Sequence, residues 1–409
     1  MPIHLVHTQI KDETSADAKA STDSHQTQQD GLIRVAIVDD SVVVRGLISR
    51  WLREVDGIDV VGTYRSGREI ITNIVAANPD VVILDIEMAD IDGITALPYI
   101  MRSKPNVTVI IASTLTARNA DISFKCMALG AKDYVLKPQS NREVSTSDEF
   151  KNVLIEKIFA LGDKDGKKAL LRRQLTPQIP YAQRAPILKV QSTIVKPAFE
   201  MPAMRPFSST PPKLLLIGAS TGGPQAIMNL LKGMSSATAR YPVLIAQHMP
   251  AAFTMMFAEH LTRQTQLDVV QATDGEILKP GRVYIAPGGR HMVVSQLNGH
   301  NQIAILDDAP VNFCKPSVDV LFESCAKFFG PACLSVILTG MGVDGAKGAL
   351  KIADVGGSVI VQDEDSSVVW GMPGATVKIG ACAAILSVEQ MAPVLMRLLA
   401  QNKPYGGME

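Results

Sequence analysis

The stretch Lys213-Leu-Leu-Leu-Ile-Gly-Ala-Ser-Thr-Gly-Gly-Pro224 constrains the fold more than any other part of the chain. Leu214 to Ile217 form a short apolar run, as expected of a strand buried on both faces in a parallel sheet. The run enters Gly218, Ala219, Ser220, Thr221, Gly222 and Gly223, small residues that let the backbone turn sharply. Pro224 then suits a first helical turn, where its missing N–H costs nothing. Strand, tight turn and helix in this order predict an α/β sheet with Ser220 at the carboxyl end of a strand, where open α/β sheets bind ligands. Ser220 is therefore a candidate nucleophile.

Further parallel-strand runs follow at 243–246, 283–286, 334–338 and 358–361, with helical stretches between several of them. The region from His300 to Leu306 could add an antiparallel hairpin. Residues 213–400 thus form one α/β domain, expected to be doubly wound. An earlier block, 32–161, repeats the alternation. Its strand candidates are Val35–Val38, Val60–Val61, Val81–Leu84, Val107–Ile111 and Tyr134–Leu136, with helices at about 42–54, 67–77, 94–102, 117–129 and 148–161. Strands alternating with helices imply a parallel sheet covered on both faces. Residues 1–31, rich in Gln, Ser, Thr, Asp and His, are expected to be a disordered tail. Residues 162–212, with many prolines and scattered basic residues, are expected to be an interdomain linker.

Composition removes several function classes. Lys plus Arg balance Asp plus Glu at 40 each, so the chain as a whole carries no electrostatic footprint for nucleic acid. The second domain shows no basic recognition helix, which argues against a DNA-binding output. The five cysteines, Cys126, Cys314, Cys325, Cys333 and Cys382, form no C-x-x-C pair and fit reduced thiols. No charged start leads into an apolar signal core, and no apolar run approaches the ~20 residues of a membrane helix. A soluble, cytoplasmic protein without membrane insertion is expected.

In the first domain the polar residues gather at strand ends: Asp39 and Asp40 after the first, Asp85 after the third, Ser113 at the fourth, Lys137 at the fifth. In a doubly wound sheet these ends share one edge. Three carboxylates together are costly unless a cation neutralises them. Mg²⁺ fits, because it takes carboxylate oxygens and keeps waters for a phosphoryl group.

In the second domain, 243–246 leads into Gln247-His248-Met249-Pro250, and 334–338 leads into Thr339-Gly-Met-Gly-Val-Asp344-Gly345. If those strands run parallel to the Ser220 strand, Ser220, His248 and Asp344 converge on one edge as a Ser-His-Asp site. The histidine would accept the serine proton, and the aspartate would fix its tautomer. His291 is a rival base. The Gly-rich turn could also hold a dinucleotide, but Ser220 stands where G-x-G-x-x-G has its middle glycine, and no Gly-Lys-Ser/Thr follows.

Residues 33–161 resemble the receiver domain of two-component response regulators, on Asp39, Asp40, Asp85, Ser113, Tyr134 and Lys137. The resemblance implies a flavodoxin-like, five-stranded parallel sheet, phosphorylation of Asp85 by a histidine kinase phosphodonor, and Mg²⁺ at Asp39, Asp40 and Asp85. It further implies that Lys137 and Ser113 contact the phosphoryl group and that Tyr134 is the switch aromatic. Met88-Ala89-Asp90 departs from the family, which has proline after the methionine.

Residues 213–398 resemble the catalytic domain of chemotaxis-type protein-glutamate methylesterases. The shared motifs are Ile217–Gly223, Ala246–Pro250, Ile285–Gly288, Arg290–Met292, Leu338–Gly345 and Val369–Pro373. Here the resemblance implies Ser220 as nucleophile, His248 as base, Asp344 as its orienter, and an oxyanion hole from backbone N–H groups near Thr221 and Met341. It implies as substrates the γ-glutamyl methyl esters on the cytoplasmic helices of methyl-accepting chemoreceptors, with methanol released, and glutamine deamidation at the same sites. No cofactor is required there. The alternative is a response regulator whose output domain binds a nucleotide or partner without catalysis.

Overall fold

The computed structural model describes residues 31–114, 116–138, 148–162, 202–234 and 240–400. Residues 1–30 of the expected tail, 163–201 of the expected linker and 401–409 lie outside the described residues; Gly162 ends a helix, and 202–212 carries no helix or strand.

The first unit is a five-stranded parallel sheet in the order β2-β1-β3-β4-β5. Its strands are β1 (Ile33–Val38), β2 (Ile58–Tyr64), β3 (Val81–Asp85), β4 (Thr108–Thr114) and β5 (Asp133–Lys137). Among the described residues five helices accompany them: α1 (Val42–Arg53), α2 (Gly67–Ala77), α3 (Gly93–Ser103), α4 (Ala117–Ala128) and α5 (Asp148–Gly162). This is the flavodoxin-like strand order. β3 is buried at every position, which explains its unbroken apolar run before Asp85. Helix starts are capped by local chemistry, as where the Asp92 carboxylate accepts from Thr95 N–H and the Thr116 hydroxyl from Asn119 N–H.

The second unit is built on a seven-stranded sheet, all pairs parallel, in the order β14-β13-β12-β6-β7-β9-β8. The strands are β6 (Leu214–Ala219), β7 (Val243–Gln247), β8 (Asp268–Gln271), β9 (Arg282–Ile285), β12 (Cys333–Ile337), β13 (Ser358–Gln362) and β14 (Ala384–Leu386). β10 (His291–Leu297) and β11 (His300–Leu306) form the antiparallel hairpin. The helices are α6 (Gly223–Gly233), α7 (Ala251–Thr265), α8 (Val318–Phe329), α9 (Ala346–Asp354), α10 (Gly371–Lys378) and α11 (Val388–Ala400). From β6 the chain builds outward through β7, then returns to β6's other side with β12. The β6/β12 junction is therefore the topological switch point, where the loops after the two strands diverge and leave a crevice.

The two units share apolar contacts. One core cluster runs from Phe124 and Tyr134 in the first unit to Phe253, Phe257 and Leu261 in the second. Tyr134 stacks on Phe253 at 4.9 Å and 8°, and Phe124 lies against Phe253, Phe257 and His260. Arg263 pairs with Asp121 at the rim of this contact. Val368 and Val369 also pack against the core of the first unit.

Candidate active site

Ser220 leaves β6 at the switch point. Its N–H donates to Thr339 O at 3.1 Å and its carbonyl accepts from Gly223 N–H at 2.8 Å, closing the turn. Gly222 has φ +75°, so it adopts a conformation that suits glycine, and a Cβ there would meet Val368 at 2.6 Å. Gln247, buried at the end of β7, donates from Nε2 to the Ser220 and His248 carbonyls and so ties the two loops together. A Cβ on Gly340 would lie 2.8 Å from Ser220 Cβ, which explains why the loop after β12 comes so close with glycine there.

His248 Nε2 and Asp344 Oδ2 are 2.8 Å apart. Asp344 is almost fully buried and receives four further donors: Val318 N–H at 2.6 Å, Ser317 Oγ at 2.8 Å, Asn312 Nδ2 at 3.0 Å and Asp319 N–H at 3.3 Å. Two of these are N–H groups at the start of α8, where the helix favours a negative charge. Burial by itself would raise the Asp344 pKa, but the bond and charge of His248, with the Val318 and Asn312 donors, bring it down to about 2. A charged acceptor at Nε2 selects the tautomer with the proton on that nitrogen, which leaves the lone pair on Nδ1. Nδ1 faces the Cys314 thiol, at 3.5 Å. Burial pushes that thiol up to about 12, so it stays protonated and can donate to Nδ1.

Ser220, His248 and Asp344 thus lie on loops that leave three parallel strands at their carboxyl ends. His248 and Asp344 are in contact, whereas no hydrogen bond reaches the Ser220 hydroxyl among the described residues. His291 has a structural role instead. It is buried, Ser317 N–H donates to its Nδ1 at 3.1 Å, and its Nε2 lies 3.1 Å from Ala309 O, so both nitrogens are engaged. The N–H groups of Thr221 and Met341 donate no hydrogen bond among the described residues. Sequence reasoning missed Gln247, Asn312, Cys314 and Ser317. Gln247 adjoins the histidine and Ser317 precedes an apolar helical pattern, so a cap search would have found the latter. His248, Cys314 and Asp344 bring potential metal-ligating atoms within 4.8 Å of one another, but the five donors on Asp344 already occupy its lone pairs.

At the other edge, Asp39, Asp40 and Asp85 bring carboxylate oxygens within 4.8 Å of one another. Lys137 Nζ bridges Asp39 Oδ2 at 3.1 Å and Asp85 Oδ1 at 2.7 Å. Burial pushes the Asp85 carboxyl up to about 6, with the Asp39 and Asp40 charges adding to the rise and Lys137 opposing it. This all-oxygen, net acidic donor set fits a hard divalent cation. The buried Ser113 hydroxyl donates to Thr114 O at 3.2 Å. Tyr134, with its ring on Phe253, belongs to the contact between the units.

Residues 35–147 match the family model of the response regulator receiver domain, and residues 215–395 match that of the CheB methylesterase. A protein-glutamate methylesterase/protein-glutamine glutaminase of Nitrobacter hamburgensis is 48% identical over 388 residues, covering 95% of this chain and 98% of the relative. One from Azospirillum brasilense is 42% identical over 371 residues, covering 90% and 93%. Among solved structures, the Thermotoga maritima CheB methylesterase catalytic domain is 35% identical, covering 46% of this chain and 100% of that one with a TM-score of 0.45. With such identity sustained across both units, the chain belongs to the family of protein-glutamate methylesterases/protein-glutamine glutaminases that carry an N-terminal receiver domain.

Proposed function

We propose that Ser220, His248 and Asp344 hydrolyse γ-glutamyl methyl esters on chemoreceptors, releasing methanol, and that they deamidate glutamine side chains at the same positions. The observation that carries this reading is the His248–Asp344 pair beside the loop that presents Ser220. In the mechanism, Ser220 Oγ attacks the side-chain acyl carbon and its proton passes to His248 Nδ1. The buried Asp344 carboxylate stabilises the imidazolium through Nε2. The N–H groups of Thr221 and Met341 receive the oxyanion, an interaction worth roughly 3–4 kcal/mol in comparable sites. The proton on His248 then leaves with the methoxy oxygen as methanol, or with the amide nitrogen as ammonia. Water, deprotonated by the same nitrogen, hydrolyses the acyl-enzyme and regenerates Ser220. For the attack, the Cys314 thiol must give up Nδ1 to the serine hydroxyl; catalytic contacts of this kind often tighten only with substrate bound.

In the receiver unit, Asp85 is the phosphoacceptor for a histidine kinase, with Asp39, Asp40 and Asp85 as the residues that would hold Mg²⁺. The cation would supply charge neutralisation for phosphoryl transfer. Lys137 and Ser113 would contact the phosphoryl group, and Tyr134 would carry the change to Phe253. In this reading the unphosphorylated receiver restrains the esterase through the Tyr134–Phe253 contact. The protein would act in the cytoplasm. No observation favours a non-catalytic output domain.

The experiment is methanol release from methylated receptor membranes with and without a small-molecule phosphodonor. Ser220→Ala should lower the stimulated rate by about 10⁴-fold or more and leave Asp85 phosphorylation intact. A variant retaining over a tenth of the wild-type rate would exclude Ser220 as the nucleophile.

A further inference from the structure

Between the hairpin and α8, Val311 and Cys314 form a bridge in which each N–H donates to the other's carbonyl, at 3.1 and 2.8 Å. The two residues enclosed, Asn312 and Phe313, both have left-handed backbones, with φ of 51° and 63°. A two-residue turn of this hand favours asparagine followed by glycine. Asn312 fits that rule, and Phe313 stands where glycine belongs. Its ring packs on nothing: Phe313 is 104% exposed, the most exposed large hydrophobic residue of the described chain. The fold gains no apolar burial from this residue and tolerates an unfavourable backbone to display it.

The display is rigid and close to the chemistry. On one side Asn312 Nδ2 donates to Asp344 at 3.0 Å and to Asp319 at 2.8 Å. On the other, Cys314 Sγ lies 3.5 Å from His248 Nδ1. The exposed ring is thus flanked in sequence by two side chains that touch the catalytic pair. Val343, also exposed, precedes Asp344 on the neighbouring loop and adds a second apolar group to this rim.

We infer that Phe313 is a docking residue for the substrate, seated against apolar side chains of the receptor helix that carries the glutamyl ester. The inference rests on the substrate reading proposed above. A side chain on a folded helix reaches a crevice only if the helix surface lies on the crevice rim. The neighbours of that side chain are the residues three and four positions away. A rigid aromatic at the rim meets them with little conformational entropy to lose, which is why aromatics dominate such contacts. A second copy of the chain is the competing occupant.

The test uses the full chain, fully phosphorylated, as wild type, Phe313→Gly and Phe313→Trp. Three quantities are read: kcat and KM for methanol release from methylated receptor membranes, the rate of Ser220 labelling by a small fluorophosphonate, and the unfolding midpoint. Phe313→Gly should unfold at the same or a higher temperature, because the turn becomes Asn-Gly. It should label at the wild-type rate, within twofold, and lose roughly 10- to 100-fold in kcat/KM on receptors, through KM. Phe313→Trp should keep most of the receptor activity. Unchanged receptor kinetics in Phe313→Gly, or a parallel fall in labelling, would overturn the docking role, as would a wild-type dimer that dissociates on this substitution. A wild type that labels normally yet releases no methanol from receptors would remove the substrate reading, and the docking role with it.

Discussion

Asp344 and Asp85 are both buried but in opposite environments, and their pKa values separate accordingly. Asp344 is held near 2 because donors surround it, whereas Asp85 is pushed up to about 6 because burial and two neighbouring carboxylates outweigh Lys137. For Asp85 the folded value lies above the ordinary 3.8, so the proton stabilises the fold. That contribution is complete below about pH 4 and is lost as pH rises through about 6. Without divalent cations, the wild-type receiver should therefore unfold at a lower temperature at pH 8 than at pH 5. Asp85→Asn should flatten this difference, raise the midpoint at pH 8, and abolish the response to phosphodonor. Thermal scans at both pH values in a chelator check the first part and methanol release the second. A steeper pH dependence in Asp85→Asn would contradict the assignment.

At the scale of elements, the start of α8 orients Asp344, the proposed partner of His248. Its N-cap, Ser317, accepts from Val320 N–H at 3.5 Å while donating to Asp344 Oδ1 at 2.8 Å. Ser317→Ala removes a cap worth ~1 kcal/mol and a charge-assisted bond worth about 1.5–3 kcal/mol. The esterase unit should unfold several degrees lower, and kcat should fall up to about tenfold with KM little changed; thermal unfolding and methanol release measure these. Most such elements were legible in the sequence. The runs at 214–217 and 243–246 are unbroken, and that at 334–338 is interrupted only by Ser335, because β6, β7 and β12 are buried on both faces, and the residues after them point to the site. β8 and β14 escaped because they are sheet-edge strands of four and three residues, only partly buried and too short for their few apolar residues to stand out as strands. Ser220, His248 and Asp344 were readable from strand ends. Asn312 and Cys314 were not, because a turn between the hairpin and α8 brings them to the site and no periodicity marks it. His291 illustrates the reverse: a histidine beside glycines suggested a base, and the structure gives both its nitrogens to backbone groups.

For the molecule as a whole, the proposed regulation depends on how the units meet. α7 begins three residues after His248, and its first turn presents Phe253 to Tyr134 and Phe124. One short segment therefore carries both the proposed base and the centre of the interdomain contact. Phe253→Ala should weaken that contact, and a loss of ~1.4 kcal/mol would raise the open population about tenfold. Methanol release without phosphodonor should rise severalfold, while the fully stimulated rate changes by less than twofold. An unchanged basal rate would mean that this stack does not restrain the esterase.

The same stack has a consequence for how the signal travels. Two events coupled through one equilibrium are coupled reciprocally, with the same free energy in either direction. If a phosphoryl group on Asp85 favours the parted units, whatever favours the parted units must favour that phosphoryl group in turn. A receptor helix that binds only after Tyr134 and Phe253 separate would then make phosphorylation more favourable than it is without that helix. The enzyme's occupancy by substrate becomes an input to its own receiver, and a cell rich in methylated receptors would shift this chain's balance toward its phosphorylated state.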